Sequence, residues 1–282
     1  MNTKEIIQSI FTYFGLKINR LNNDRNSIDG IFKFIYNEDK KDLKNFLNPI
    51  RSKIFKKITI IDVGANKGQS IKRFKSIAPN SIIYSYEPIN TFFEVLKKNF
   101  FSNNIILNNK AVGSKIQKKI INEYPLGQSS FLKLNYQVPS IKKRYYKWIK
   151  EQPKIFKKQE TSVTTVDKEF KINNLKKINI LKIDTQGFEV QVLKGATICL
   201  EHSLIDFIQI EVCLGGVYNN QSYISAVDIV LKKYNYLLLC VEPKGHNLLN
   251  NSEYQVELLY CNNQMLKKIK KFHSLKDYRQ FI

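Results

Sequence analysis

Ile58-Thr59-Ile60-Ile61-Asp62-Val63-Gly64-Ala65-Asn66-Lys67-Gly68-Gln69, followed by Ser81-Ile82-Ile83-Tyr84-Ser85-Tyr86-Glu87-Pro88, is the stretch whose reading decides the fold. It reads as a buried strand, a glycine-containing turn that opens a helix, and a second strand ending in a carboxylate. That layout suits a nucleoside-bearing ligand: glycine lets backbone approach the ligand, and an acid after the second strand can grip two ribose hydroxyls. A dinucleotide fingerprint requires G-x-G-x-x-G so that a pyrophosphate can reach the helix N-terminus. Here Asn66 replaces the second glycine, and the pattern is D-x-G-x-N-x-G. The candidate ligand-binding residues are Asp62, Gly64, Asn66, Gly68 and Glu87, against the plainer reading of an ordinary βα turn.

Outward from this stretch, apolar strands and helices alternate. Strand 58–63 leads to a helix near 68–77 that Pro79 stops, and strand 81–86 to a helix near 90–101 and a strand near 104–112. Strand 178–183, helix 189–200, strand 205–212 and helix 221–234 follow, then strands 236–241 and 254–260. The first strands are near-continuous apolar runs, as expected of parallel strands covered on both faces. The fold class expected is therefore α/β, a doubly wound, mostly parallel sheet. The last two strands have no helix between them, which predicts a terminal antiparallel hairpin. Between about 113 and 177 the alternation breaks down: Ile120 to Leu134 reads as a hairpin around Gly127, and 140–158 is a basic insert with Tyr145, Tyr146 and Trp148 interleaved. Residues 1–55 form an N-terminal helical extension, in which Ile6, Ile7, Ile10, Phe11 and Phe14 recur at helical spacing. Residues 56–282 then make the main domain.

Composition narrows the class. With 43% hydrophobic and 12% aromatic residues the 282-residue chain is globular and large enough for one well-cored domain. Four scattered cysteines, Cys199, Cys213, Cys240 and Cys261, have no metal-type spacing and suit buried free thiols. Apolar runs such as Tyr236–Val241 are too short to span a bilayer, and the first residues lack the order of a signal peptide, so a cytoplasmic location is expected. The formal charge is +22, but only six of the 46 basic residues are arginine. Specific phosphate and nucleic-acid readers lean on arginine's bidentate fork, so nucleic acid is not the favoured partner. An anionic acceptor, or a peripheral membrane contact through the basic surface, stays open.

In open α/β sheets ligands bind beyond the carboxyl ends of the strands. Acids stand near that end of most of the expected parallel strands: Asp62, Glu87, Asp184 and Glu211. The turn pattern suits a ligand without a pyrophosphate, such as S-adenosylmethionine. Asp184, Glu211 and His246, the last in a loop after a strand, are candidate catalytic bases. Asp184 and Glu211 are alternatively candidates to hold Mg²⁺ or Mn²⁺. Glu189 would sit in a first helical turn, where it either complements the dipole or points into the cleft.

The segments 61–69, Tyr86-Glu87-Pro88, Asn109-Lys110-Ala111-Val112-Gly113, Gly127-Gln128-Ser129-Ser130-Phe131 and Val163-Thr164-Thr165-Val166-Asp167 occur in order. Leu181-Lys182-Ile183-Asp184-Thr185-Gln186-Gly187-Phe188-Glu189 and Val192-Leu193-Lys194-Gly195-Ala196 follow. In these the chain resembles the FkbM family of S-adenosylmethionine-dependent methyltransferases. Thr185 stands where that family often has valine, and Val166 where it often has leucine. Residues 1–55 and the insert lie outside the resemblance. It implies a class I, Rossmann-like sheet of seven strands with a reversed last hairpin, and O-methylation of a hydroxyl on a sugar, glycan or other small metabolite. It also implies Asp62 and Gly64 near the methionine portion of the cofactor, Glu87 on the ribose, and Asn109 and Lys110 near the adenine. The competing readings are a nucleic-acid methyltransferase using the basic surface and a non-catalytic cofactor-binding protein docked to anionic membrane. Oligomeric state is not legible.

Overall fold

A computed structural model describes residues 27–36, 57–124, 127–138, 141–142, 157–245 and 254–273. The helix expected around Ile6–Phe14, most of the basic insert, and His246 lie outside the described residues.

In chain order the elements are α1 (Ile28–Tyr36), β1 (Thr59–Val63), α2 (Gln69–Ile77), β2 (Ile82–Tyr86), α3 (Asn90–Asn99) and β3 (Ile105–Asn108). Then come β4 (Ala111–Val112), β5 (Gln117–Glu123), β6 (Lys157–Thr164), α4 (Val166–Ile172), β7 (Ile178–Ile183), α5 (Glu189–Lys194) and α6 (Thr197–Glu201). The chain continues through β8 (Ile205–Cys213), α7 (Ile224–Lys233), β9 (Tyr236–Gly245), β10 (Tyr254–Asn262) and α8 (Asn263–His273). Seven strands form the main sheet in the order β3-β2-β1-β7-β8-β10-β9. The first five run parallel, whereas β10 lies antiparallel between β8 and β9. The doubly wound sheet with its reversed final hairpin is thus present. The chain order reverses at β1 and β7, so a crevice opens beyond their carboxyl ends, where ligands bind in such sheets.

Alternation along the strands separates two cores. Ile61, Val63, Leu181, Ile183, Ile208 and Ile210 face α5, α6 and α7 through Val192, Leu193, Leu200 and Leu231. Ile60, Ile83, Ile180 and Phe207 face the other way, against Ile71 and Phe74 of α2, Leu96 of α3 and Met265 of α8. α1 completes this second core. Its Phe32 is fully buried, 5.8 Å from the ring of Phe207 and 6.2 Å from that of Phe74. Burying such a ring stabilises the fold by about 2–3 kcal/mol.

Four expectations change. The strand expected over 104–112 splits, because Asn109 donates to the carbonyls of Glu87 and Pro88 and turns the chain over the end of β2. Residues 111–112 then join a second sheet, in the order β4-β6-β5. The hairpin expected around Gly127 reduces to a single bridge between Asn122 and Ser130; β5 takes β6 as its partner instead. The helix expected over 189–200 breaks at Gly195, whose α-carbon abuts the Gly113 carbonyl; a Cβ there would lie 2.0 Å from that oxygen. Asp167 caps the second piece by accepting from the N–H groups of Ile198 and Cys199 at 3.0 and 2.9 Å. Finally, β6, α4 and α8 were not expected at all.

Candidate functional site

The turn after β1 is wrapped onto the end of β2. The N–H groups of Gly64 and Ala65 both donate to the Tyr86 carbonyl, at 2.9 and 3.1 Å. Gly64 has φ +83° and packs so closely on β7 that a Cβ would stand 1.9 Å from the Asp184 carbonyl oxygen. Asn66, also left-handed with φ +50°, donates its N–H to Glu87 Oε2 at 2.8 Å. Ile89 N–H donates to Glu87 Oε1, also at 2.8 Å. Glu87 is thereby fixed on the wall of a cleft that Gly64, Asn66, Phe92, Val112, Phe131 and Asp184 also line. Burial raises the Glu87 pKa to about 7 despite the two backbone donors, with Asp62 and Asp184 adding to the rise.

One polar atom on this wall lacks a partner. Asn66 Oδ1 is buried and accepts no hydrogen bond from the described residues. Its amide is pressed against Gly127, where a Cβ would come within 2.5 Å of Nδ2. An acceptor held in place beside Glu87 fits a ligand that brings N–H or O–H donors, as an adenosyl group does.

Four of the expected ligand residues do not line the cleft. Asp62 is fully buried below the turn; Ser70 Oγ donates to its Oδ2 at 2.6 Å, so it ties β1 to α2 and does not line the cleft. Asn109 spends its amide on backbone carbonyls, as described above. The Lys110 ammonium lies 3.8 Å from Glu169 Oε1, and Glu169 also accepts from the hydroxyls of Thr164 and Tyr86. At that end the cleft wall is instead formed by Ala111 and Val112. Gly68, with φ +90°, lets α2 start against the Phe100 ring and likewise stands outside the cleft wall.

Across the cleft, β7 ends in Asp184 and a tight loop. Gln186 (φ +55°) and Gly187 (φ +97°) are both left-handed. Glu189 folds back under this loop: its Oε1 accepts from the N–H groups of Gly187 and Thr185 at 2.9 and 3.3 Å and from the Thr185 hydroxyl at 3.1 Å. That settles the choice left open for Glu189, which shapes the loop from below. Burial pushes its pKa up to about 7. So held, Gln186 points its amide nitrogen at Asp184 Oδ1, 2.9 Å away, and at Glu211 Oε1, 3.2 Å away. Its own Oε1 lies 3.0 Å from the Tyr218 hydroxyl. Burial raises the Glu211 pKa to about 8; Asp184 adds to the rise and Lys182 opposes it.

Asp184 and Glu211 are therefore brought together, as expected, but by an amide donor and an ammonium. Lys182 Nζ lies 3.2 Å from Asp184 Oδ2. Among the described residues no group of three or more His, Cys, Asp or Glu side chains is placed to hold a metal ion. At the two residues expected to hold a divalent ion, Lys182 supplies a counter-charge to Asp184 and the Gln186 amide donates to both carboxylates. Lys182 and Gln186, the two residues that hold Asp184, were not singled out from the sequence. Their signal was present: Lys182 is the one charge in the strand Ile178-Asn179-Ile180-Leu181-Lys182-Ile183. Among the described residues no helix is long and apolar enough to cross a membrane.

The curated "Methyltransferase 1" of Beauveria bassiana (strain ARSEF 2860) is 29% identical over 167 residues, covering 55% of this chain and 64% of its own. The chain thus spans less than two thirds of that relative. Among solved structures, the methyltransferase FkbM from Methylobacillus flagellatus KT aligns with a TM-score of 0.40 at 14% identity, over 74% of this chain and 46% of that one. The magnesium protoporphyrin IX methyltransferase of Synechocystis PCC 6803, with bound SAM, aligns with a TM-score of 0.42 at 8% identity, over 93% and 98%. The Methyltransferase FkbM domain matches residues 62–238, more than half of the chain, and the protein belongs to that family.

Proposed function

We propose that this protein transfers the methyl group of S-adenosylmethionine to a hydroxyl oxygen of a sugar, glycan or other small polyhydroxylated metabolite. The observation that carries the reading is a cleft lined by two fixed carboxylates, Glu87 and Asp184, and by Asn66, whose side-chain oxygen has no partner among the described residues. When bound, the cofactor supplies a methyl group already activated on a sulfonium.

The chain's own residues then have three tasks. Glu87, braced by the N–H groups of Asn66 and Ile89, takes the ribose hydroxyls, while Val112, Ile89 and Phe92 give the base an apolar bed. Asp184 stands at the cleft wall beside the acceptor's place and receives the proton of the attacking hydroxyl at Oδ1 or Oδ2. Such general-base help is worth about 10²–10⁴-fold. The loop 184–189, locked by Glu189 below and by the Ser130 hydroxyl on the Gln186 carbonyl at 2.7 Å, keeps that carboxylate in position. Positioning and water exclusion supply the larger share of the acceleration.

The reading is tested by incubating the protein with S-adenosylmethionine carrying a labelled methyl group and a panel of monosaccharides, glycosides and nucleotide sugars. Label transferred to a hydroxyl, and lost in Asp184→Ala, is the expected result. Label appearing only on nucleic acid, or undiminished transfer by Asp184→Ala, would contradict it.

A further inference from the structure

Lys182 is a buried cation within the sheet. The parallel register lines up Ser85, Asp62, Lys182 and Gln209 on four neighbouring strands, so these four side chains share one face. Glu211 and Glu257 stand opposite each other on β8 and β10. The Lys182 ammonium lies 3.2 Å from Asp184 Oδ2 and 3.9 Å from Asp62 Oδ1, and Asp62 Oδ1 has no hydrogen-bond partner. The charges facing the ammonium are Asp184 on its own strand, Asp62 on β1, Glu211 on β8 and Glu257 on β10. Lys244 of β9 pairs with Glu257, and Arg73 of α2 lies beyond Asp62. Burial alone would lower the pKa of this lysine, but the four carboxylates outweigh it and raise it.

A buried ion of this kind is a poor stabilising device, because an apolar side chain of similar volume often stabilises a core as well or better. Its consequence is felt at Asp184, the member of the cluster that reaches the cleft, with a side chain 25% exposed. Lys182 takes one oxygen of that carboxylate and Gln186 the other.

We propose that Lys182 is a positioning residue, whose ammonium holds Asp184 as a fixed carboxylate on the cleft wall beside the site of methyl transfer, close enough to the attacking hydroxyl to take its proton and to the sulfonium for its charge to be felt there. The proposal rests on the cofactor reading above. It assigns to a side chain the counter-charge that a divalent ion supplies in other acid-lined sites.

S-adenosylmethionine and S-adenosylhomocysteine differ in charge at the sulfur, so the ratio of their affinities reports a carboxylate near that atom. Calorimetric affinities of both compounds are measured on the wild type, Asp184→Asn, Lys182→Met and the double variant. Asp184→Asn is expected to shift the ratio about tenfold against S-adenosylmethionine, as loss of one nearby charge in a poorly solvated site should. Lys182→Met is expected to shift it in the same direction, at least about fivefold, and the double variant no further than Asp184→Asn alone. Three outcomes overturn the proposal. Equal weakening of both compounds in Lys182→Met would make the lysine a packing element only. A shift in favour of S-adenosylmethionine would show that Asp184 stays charged and placed without it, since removing a positive charge then attracts the sulfonium. An unchanged ratio in Asp184→Asn would place that carboxylate away from the sulfur. A wild type that binds neither compound sinks the cofactor reading itself, and the proposal with it. Should the methionine variant fail to fold, Lys182→Gln carries the same comparison.

Discussion

Replacing Gly64 with alanine tests the closest contact in the site. Gly64 sits at φ +83°, where an L side chain costs roughly 1–2 kcal/mol. The added Cβ would lie 1.9 Å from the Asp184 carbonyl oxygen and 3.0 Å from its carbon, both backbone atoms that cannot swing aside. The two turns that face each other across the cleft must therefore move apart by an ångström or more, and overpacking of this kind costs about 1–3 kcal/mol. The sum is about 2–5 kcal/mol, a large part of the about 5–15 kcal/mol that holds a typical domain together. At roughly 2–4 °C per kcal/mol for a chain of this size, Tm should fall by about 4–20 °C. S-adenosylmethionine affinity should fall at least about tenfold, since an ångström of misplacement has large consequences in a built site. Gly215→Ala is the internal control, because a Cβ there meets nothing within 4 Å. Thermal melts and calorimetry on both variants read the two effects. A Gly64→Ala protein with Tm and affinity within error of the Gly215→Ala protein would refute the close approach of β1 and β7 at this turn.

Further outcomes follow from the same geometry. Phe32→Ala should destabilise the fold by about 3–5 kcal/mol, read by urea unfolding, because the ring is fully buried against Phe74 and Phe207; a loss under about 1 kcal/mol would detach α1 from the core. Glu189 has its pKa raised from 4.5 to about 7, so the folded state favours its protonated form. The stability this residue confers is complete below about pH 4.5 and is lost as pH rises through about 7. Glu189→Gln should therefore flatten the fall of Tm between those values, and an unchanged slope in differential scanning fluorimetry would count against the buried carboxyl. Glu211, raised from 4.5 to about 8, has the same sign, so Glu211→Gln should remove a fall that extends about one pH unit further.

The parts of the fold legible in the amino-acid order are those built from local signals. Ile58–Gln69 and Ser81–Pro88 carried a strand, a turn and an acid in sequence, and the structure places Glu87 and Asp184 on one cleft as that order implied. What stayed hidden depends on contacts far along the chain. The break at Gly195 comes from the Gly113 carbonyl pressing on its α-carbon; the glycine was a local hint, but the contact that makes it a break lies far along the chain. β6, Lys157-Lys158-Gln159-Glu160-Thr161-Ser162-Val163-Thr164, has too polar a pattern to read as a strand; pairing with both β4 and β5 makes it one. Asp62, Asn109 and Lys110 were sought at the right turns, but their side chains answer to Ser70, to the carbonyls after β2, and to Glu169. Position along a strand shows where a residue emerges, and its neighbours decide which way it turns. Lys182 is the converse, a charge in a buried strand whose meaning appears only when β1 and β8 are laid beside it.

The most direct measurement is calorimetric binding of S-adenosylmethionine and S-adenosylhomocysteine to the wild type and to Glu87→Ala, with NAD as control and circular dichroism to confirm that the variant folds. Micromolar binding of the first two compounds, at least about tenfold weaker in Glu87→Ala and absent for NAD, is the expected result, since the variant removes the carboxylate assigned to the ribose. No binding of either compound, or NAD bound as well as they are, would contradict the cofactor reading on which the proposed methyl transfer stands.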